Sequence, residues 1–139
     1  MAGKILIVED NSRFAEMLAV LLNDAGYEVS LAKNSGRGIG KALTERPDLI
    51  LTDLNLPDMT AIEAITILKK IPFTSGIPII VLTAETARQL KTKALKAGAT
   101  EYLLKPIHPR DLLNIVRRFC VLRVLSKQSP SISSQLGPN

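Results

Sequence analysis

The sequence has few of the residues on which several common classes of protein depend. It contains one cysteine, Cys120, and no tryptophan among 139 residues. A single cysteine cannot form an internal disulfide, which favours the reducing cytoplasm and a packed thiol rather than a reactive one. The apolar runs, such as Ile5–Val8 and Ile77–Leu82, are strand-sized and far shorter than the ~20 residues that span a membrane. The sequence therefore predicts a cytoplasmic globular chain without a membrane partner.

Charge is distributed unevenly along the chain. The net charge of +5 divides into 8 basic and 11 acidic residues over positions 1–85, and 10 basic and 2 acidic residues over positions 86–139. The basic second part indicates either a solvated lysine-rich helix face or a docking surface for an acidic partner. A nucleic-acid partner is disfavoured, because no aromatic residues alternate with the basic ones to stack on bases.

Strand and helix signals alternate along the chain. Short apolar runs predict five strands, and apolar residues spaced three or four apart predict a helix after each strand. The predicted strands are Lys4–Val8, Glu28–Ala32, Leu49–Leu51, Ile77–Leu82 and Glu101–Leu104. Helix starts are indicated by Ser35, by Thr60 with Glu63 in a capping box, and by Pro109. This alternation predicts the α/β class.

Strand followed by helix, five times over, predicts a doubly wound five-stranded parallel sheet with helices on both faces. Runs such as Ile5–Val8 do not alternate with polar residues, as expected of strands buried on both sides. We expect residues 1–125 to form this one domain. Residues 126–139 contain five serines, two prolines and one charged residue, so we expect a disordered tail there.

Polar side chains follow four of the five predicted strands. They are Glu9 and Asp10 after the first, Asp53 after the third, Thr83 after the fourth, and Lys105 with Pro106 after the fifth. Because the carboxyl ends of parallel strands meet at one edge of the sheet, these side chains should converge there. Each also has a simpler explanation: Glu9, Asp10 and Thr83 could cap helices, and Lys105 could be a surface lysine.

Three converging carboxylates repel one another unless a cation joins them. An oxygen-rich site with few ligands suits Mg²⁺, which often shares its coordination shell with phosphate. A carboxylate can also act as a nucleophile toward phosphorus, and an ammonium and a hydroxyl can neutralise the oxygens of the transferred group. These residue types therefore predict phosphoryl transfer to an aspartate.

Four segments carry a resemblance to a known family. They read ILIVEDN at 5–11, LILTDLNLPDM at 49–59, PIIVLTA at 78–84 and AGATEYLLKPIHPRDLL at 97–113. Together they resemble the response-regulator receiver domain, the chemotaxis-regulator-like fold, over residues 4 to about 124. The resemblance implies a flavodoxin-like sheet with strand order 2-1-3-4-5. It also implies a phosphoaccepting switch of a two-component phosphorelay that assists its own phosphotransfer without being a classical enzyme.

The resemblance also assigns roles to single residues. It implies that Asp53 is the phosphoacceptor and that a sensor histidine kinase or a histidine phosphotransfer domain is the donor. The residues implied for Mg²⁺ are Glu9, Asp10, Asp53 and, through its backbone carbonyl, Asn55. The implied switch residues are Thr83, Lys105 and Tyr102, and the Lys105-Pro106 peptide is implied to be cis. Tyr102 alone could equally be a half-buried strand tyrosine.

The implied output surface combines the fourth helix, the fifth strand and the fifth helix. Much of the basic excess falls on it, at Arg88, Lys91, Lys93, Lys96, Arg117 and Arg118. An unknown downstream protein or a second copy of the chain would dock there. The alternatives from the sequence are an interaction module that never turns over phosphate, and direct nucleic-acid binding through the basic C-terminal portion.

Three positions depart from, or qualify, the family pattern. Thr60-Ala61 stands where the family commonly has Asp-Gly, and alanine poorly tolerates the turn conformation that glycine permits, so a reshaped loop near Asp53 is expected. His108 stands at a common cap position, and we interpret it as a cap rather than a catalytic histidine. Asn55 cannot take a proton from water, so we expect slow hydrolysis of the phosphorylated state.

Overall fold

The computed structural model of the chain describes residues 3–128. Five strands and five helices alternate along it. The strands are β1 (Lys4–Val8), β2 (Glu28–Ala32), β3 (Leu49–Thr52), β4 (Ile79–Thr83) and β5 (Glu101–Leu104). The helices are α1 (Ser12–Asp24), α2 (Ser35–Glu45), α3 (Ala61–Lys70), α4 (Arg88–Ala97) and α5 (Pro109–Gln128). The predicted alternation is confirmed.

The strands form one parallel sheet in the order β2-β1-β3-β4-β5. Val8 pairs with Thr52, and Thr83 pairs with Leu104, so the strands end at nearly the same level. This common level is what brings the residues that follow β1, β3 and β5 to one edge. The predicted doubly wound fold and its strand order are therefore confirmed.

Two apolar layers cover the two faces of the sheet. Successive strand residues point to opposite faces, so Leu6 and Val8 join one layer while Ile5 and Ile7 join the other. The first layer packs against α2, α3 and α4, and the second against α1 and α5. Full burial of an aliphatic side chain such as Ile7 contributes about 1.5–3 kcal/mol to the free energy of unfolding. Both layers therefore stabilise the sheet that positions the site.

Several boundaries differ from the predictions, and β3 extends one residue beyond its predicted end, to Thr52. Strand β4 begins at Ile79 and extends to Thr83, because the chain at Ile77 still bonds to the turn before it, through a 3.1 Å hydrogen bond to the Thr74 carbonyl. Helix α2 is capped by Asn34 rather than Ser35, which is a correction of the prediction. The hydroxyl of Ser35 instead donates to the Met59 carbonyl at 2.8 Å.

Helix α5 continues to Gln128, three residues beyond the predicted domain boundary at 125. Residues 129–139, the greater part of the predicted tail, lie outside the described residues. Among residues 3–128, no helix is both long enough and apolar enough to cross a membrane.

Candidate functional site

Three carboxylates meet beyond the ends of β1 and β3. Oxygen atoms of Glu9, Asp10 and Asp53 lie within 4.8 Å of one another. The register places them there: the Asp53 backbone N–H donates to the Val8 carbonyl at 3.0 Å, which continues the pairing of the two strands. Glu9 is buried, Asp10 is exposed and Asp53 is intermediate, so the cluster opens to solvent on one side.

These carboxylates do not serve as caps of the first helix. The cap of α1 is Asn11, whose side chain accepts from the Phe14 N–H at 2.9 Å. Glu9 instead accepts from the Asn11 N–H at 3.0 Å through Oε2, which leaves Oε1 for another partner. The capping explanation for Glu9 and Asp10 therefore does not account for the cluster.

Lys105 joins two of the carboxylates. Its Nζ lies 2.9 Å from Glu9 Oε1 and 3.3 Å from Asp53 Oδ2. Its backbone N–H donates to the Thr83 carbonyl at 2.8 Å, so the end of β5 is held against the end of β4. The Lys105-Pro106 peptide bond is cis, as the resemblance implies.

The surroundings of Lys105 favour its charged form. Burial lowers the pKa of this ammonium, but the hydrogen bond that it donates to Glu9 and the negative charges of Asp53 and Glu9 outweigh burial, so the net pKa is raised. The ring of Phe14 lies 4.3 Å below the Nζ atom and adds a cation–π contact. No local pattern in the sequence identifies this contact between Phe14 and a lysine 91 positions away.

Thr83 and Tyr102 meet at a residue that the sequence did not single out. The Glu85 backbone N–H donates to Thr83 Oγ1 at 3.3 Å, and Tyr102 donates through its hydroxyl to the Glu85 carbonyl at 2.9 Å. Thr83 is 1% exposed and Tyr102 is 8% exposed, so the tyrosine lies inward. Burial, followed by the charges of Glu85 and Asp53, raises the pKa of Tyr102. The loop between β4 and α4 is thus bonded to two of the three predicted switch residues, Thr83 and Tyr102.

Thr83 does not cap α4, which begins after Ala87 without a side-chain cap. The hydroxyl of Thr83 is therefore committed to the loop beside the carboxylate cluster rather than to a helix end. Asn55 lies on the exposed loop after β3, two residues beyond Asp53. Its carbonyl role stays a prediction.

The loop after β3 does not require a glycine at position 61, where this chain departs from the family pattern. Thr60 caps α3 with φ −68° and accepts from the Glu63 N–H at 3.4 Å, as the capping box predicts. Ala61 is the first residue of that helix, and Arg46 is the only non-glycine with positive φ among residues 3–128. Alanine is therefore unstrained here, and the reshaped loop expected near Asp53 stays a prediction.

His108 behaves as a helix cap. Its Nδ1 accepts from the Arg110 N–H at 3.0 Å, which satisfies a donor in the first turn of α5. This contact agrees with the cap interpretation and commits Nδ1 to the start of the helix.

The donor set can hold a metal ion. Three carboxylates whose oxygens lie within 4.8 Å of one another offer hard, anionic ligands on an open rim, which fits a small divalent cation that keeps several waters. Helix α4 carries a second charged feature of the surface, which is basic. Arg88, Lys91, Lys93 and Lys96 of α4 are all exposed, and the α4 sequence contains no acidic residue.

Comparisons with known proteins agree with this geometry. The family model described as the response regulator receiver domain matches residues 5–117. The phosphate regulon transcriptional regulatory protein PhoB of Pseudomonas aeruginosa is 43% identical over 124 residues, which cover 88% of this chain and 53% of that protein. The DNA-binding response regulator MtrA of Mycobacterium tuberculosis is 35% identical over 117 residues, which cover 84% of this chain and 50% of that protein. The chain spans about half the length of these regulators.

Solved structures show the same relationship. The response regulator receiver domain protein (CheY-like) from Methanospirillum hungatei superposes with a TM-score of 0.84 at 31% identity, covering 91% of this chain and 99% of that one. The family model and this solved structure each cover most of the chain. The chain therefore belongs to the response regulator receiver domain family of two-component signalling.

Proposed function

We propose that Asp53 accepts a phosphoryl group from a phosphohistidine of a sensor histidine kinase or a histidine phosphotransfer domain. The observation that carries the proposal is Asp53 at the open rim of a carboxylate cluster, 3.3 Å from the Lys105 ammonium. In the reaction, the P–N bond of the donor breaks as a P–O bond forms to an Asp53 carboxylate oxygen. The histidine nitrogen leaves with the bonding electron pair. The protein assists this transfer without being a classical enzyme.

The chain's own residues orient the nucleophile. The Leu54 N–H donates to Asp53 Oδ1 at 2.6 Å and sets the rotation of the carboxylate, while Oδ2 faces Lys105. After transfer, the Lys105 ammonium would pair with a phosphoryl oxygen in place of the Asp53 oxygen. The bond from Lys105 to Glu9 keeps the ammonium at the rim during this exchange.

We assign Asp10, Asp53 and the Asn55 carbonyl as direct ligands of Mg²⁺, with Glu9 acting through water. When bound, the ion supplies positive charge that offsets the negative charge of the transferred group. The exposed position of Asp10 and the rim opening support this assignment, because a hydrated cation needs access to solvent.

The switch follows from the shared contact at Glu85. If Thr83 turns its hydroxyl toward a phosphoryl oxygen, it gives up the bond from the Glu85 N–H. The same loop holds the Tyr102 hydroxyl, so the tyrosine and the surface of α4, β5 and α5 would adjust together. The phosphoryl group thereby biases two states of one loop.

The output partner is proposed from charge. Exposed Arg88, Lys91, Lys93 and Lys96 on α4, with Arg117 and Arg118 on α5, favour an acidic protein surface or a second copy that presents carboxylates. Nucleic acid is the less favoured partner.

We also propose a cytoplasmic location, which the single cysteine of the chain supports.

The test uses a small-molecule phosphodonor. Acetyl phosphate with Mg²⁺ should add one phosphoryl group to the intact mass of the wild-type chain and none to Asp53→Asn. A wild-type chain that stays unmodified, or an Asp53→Asn chain that is modified to the same extent, would overturn the proposal. Sedimentation of the phosphorylated chain against Asp53→Asn then tests the second-copy alternative, and salt-dependent DNA titration tests nucleic acid.

A further inference from the structure

The loop after β3 is fastened to the start of α2 by the carboxylate of Asp58. Asp58 Oδ1 accepts from the Ser35 N–H at 2.9 Å, and Oδ2 accepts from the Gly36 N–H at 2.7 Å. In return, the Ser35 hydroxyl donates to the Met59 carbonyl at 2.8 Å. Three hydrogen bonds thus join two segments more than 20 residues apart, and we call this set the loop–helix clamp.

Helix α2 does not depend on the clamp alone for its capping. Its own cap, Asn34, accepts from the Arg37 N–H at 2.8 Å. An α-helix leaves four N–H groups unpaired at its start, so Asp58 takes two donors that Asn34 does not reach. The negative carboxylate is also favoured by the partial positive charge of the helix start. The start of α2 therefore offers Asp58 two backbone N–H groups as hydrogen-bond donors.

The clamp fixes the loop that carries Asn55. At its base, the loop closes through the Ala61 N–H, which donates to the Leu54 carbonyl at 2.9 Å, and Leu54 is buried. At its far side, the loop is held at Asp58, three residues after Asn55. Pro57 lies between them and restricts the backbone of the residue before it. Little freedom remains for the Asn55 carbonyl once both ends are held.

We propose that Asp58 is a positioning residue that sets the Mg²⁺ affinity of the site by holding the Asn55 carbonyl toward Asp10 and Asp53. The proposal rests on the proposed function, because it takes that carbonyl as a metal ligand. Asp58 itself does not touch the metal or the phosphoryl group. Its contacts run to α2, so its effect on the site passes through the loop.

The surroundings of Asp58 favour the ionised carboxylate that the clamp needs. The Gly36 N–H has the largest effect and lowers the pKa of Asp58; burial opposes it, and the Ser35 N–H adds to the lowering. The Gly36 position also suits a close approach, since a Cβ there would lie 3.1 Å from Asp58 Oδ2.

The test measures Mg²⁺ binding by the unphosphorylated chain. An NMR titration with MgCl₂ would follow the backbone amides around Asp53 in the wild type and in Asp58→Ala. We expect the Mg²⁺ Kd of Asp58→Ala to rise about threefold to tenfold. This is below the ~10–100-fold typical of lost outer-shell partners, because one ligand of several is displaced and the Leu54–Ala61 bond remains.

Asn34→Ala is the matched control. It removes a cap from the same end of α2 but leaves the clamp in place, so its Mg²⁺ Kd should stay within about twofold of the wild type. Ser35→Ala removes the bond to Met59 alone and should raise the Kd in the same direction as Asp58→Ala, by less. Urea unfolding of all variants shows whether each remains folded.

An unchanged Kd in Asp58→Ala, with wild-type binding intact, would overturn the inference. So would an equal loss of affinity in Asn34→Ala, because the effect would then come from helix stability. Absence of Mg²⁺ binding in the wild type itself would instead count against the proposed function, so the two failures are distinguishable.

Discussion

Two glycines of α2 have opposite surroundings, and this contrast gives a quantitative prediction. A Cβ added at Gly38 would lie 2.8 Å and 3.2 Å from the two terminal carbons of Val8, whereas a Cβ at Gly40 would meet nothing within 4 Å. Val8 is buried, and the branching at its Cβ restricts rotation about χ1, so the side chain has little room to move. The close approach of α2 to β1 therefore requires glycine at 38 and not at 40.

The magnitude follows from the difference in unfolding free energy between the variants Gly38→Ala and Gly40→Ala. Each gains about 0.5–1 kcal/mol of helix propensity, which cancels in the difference. What remains is the overpacking against Val8, about 1–3 kcal/mol. Gly40→Ala should thus exceed the wild type in unfolding free energy by about 0.5–1 kcal/mol, and Gly38→Ala should fall about 1–3 kcal/mol below Gly40→Ala.

Urea unfolding followed by far-UV circular dichroism measures both variants under the same conditions. Equal slopes with denaturant concentration would show that the midpoints report stability. Because Val8 immediately precedes Glu9, Gly38→Ala should also weaken Mg²⁺ binding, while Gly40→Ala should not. Equal stability of the two variants would refute the argument from close approach.

Three further predictions concern the charged groups of the site. Lys105→Met should lower the unfolding free energy in urea by about 1–2 kcal/mol, because the buried Glu9 side chain would lose its ammonium partner. Exposed Lys91→Met, as the control, should change it by less than about 0.5 kcal/mol. Mg²⁺ at ten times its Kd should stabilise the wild type by about 1.4 kcal/mol in thermal unfolding, and EDTA should reverse this stabilisation. Asp53→Asn should show a smaller stabilisation by Mg²⁺. The pKa of Asp58 is lowered in the fold, so its stabilising contribution is present above its ordinary value of 3.8 and is lost as pH falls through the lowered pKa. The stability difference between wild type and Asp58→Asn should therefore shrink on acidification, and a difference that grows below pH 3.8 would contradict the clamp.

Local sequence pattern was sufficient for several elements and for most of the site. Strands β1, β2 and β5 have the predicted bounds, because each is a short run of strand-forming residues bounded by turn or polar residues. Glu9, Asp10, Asp53 and Lys105 were identified by their position after strands, and the parallel sheet brings them together. Such predictions succeed because strand ends are local features and a parallel sheet aligns them.

Other features were decided by contacts between distant segments. Ser35 was predicted to cap α2, but Asn34 caps it, since the Ser35 hydroxyl bonds to Met59 and its N–H to Asp58, 23 residues away. Likewise, Glu85 serves both Thr83 and Tyr102 only because β4 and β5 lie side by side.

The sequence by itself determined the class of fold, the carboxylate–lysine site and the family, since each depends on residue type and on order along the chain. Tertiary structure decided how tightly those groups are held. The Phe14 ring under Lys105, the close contact of Gly38 with Val8 and the Asp58 clamp all join segments that no local period relates. Hydrogen bonds and packing distances depend on three-dimensional position to within tenths of an ångström, and a pattern along one dimension does not specify position that finely.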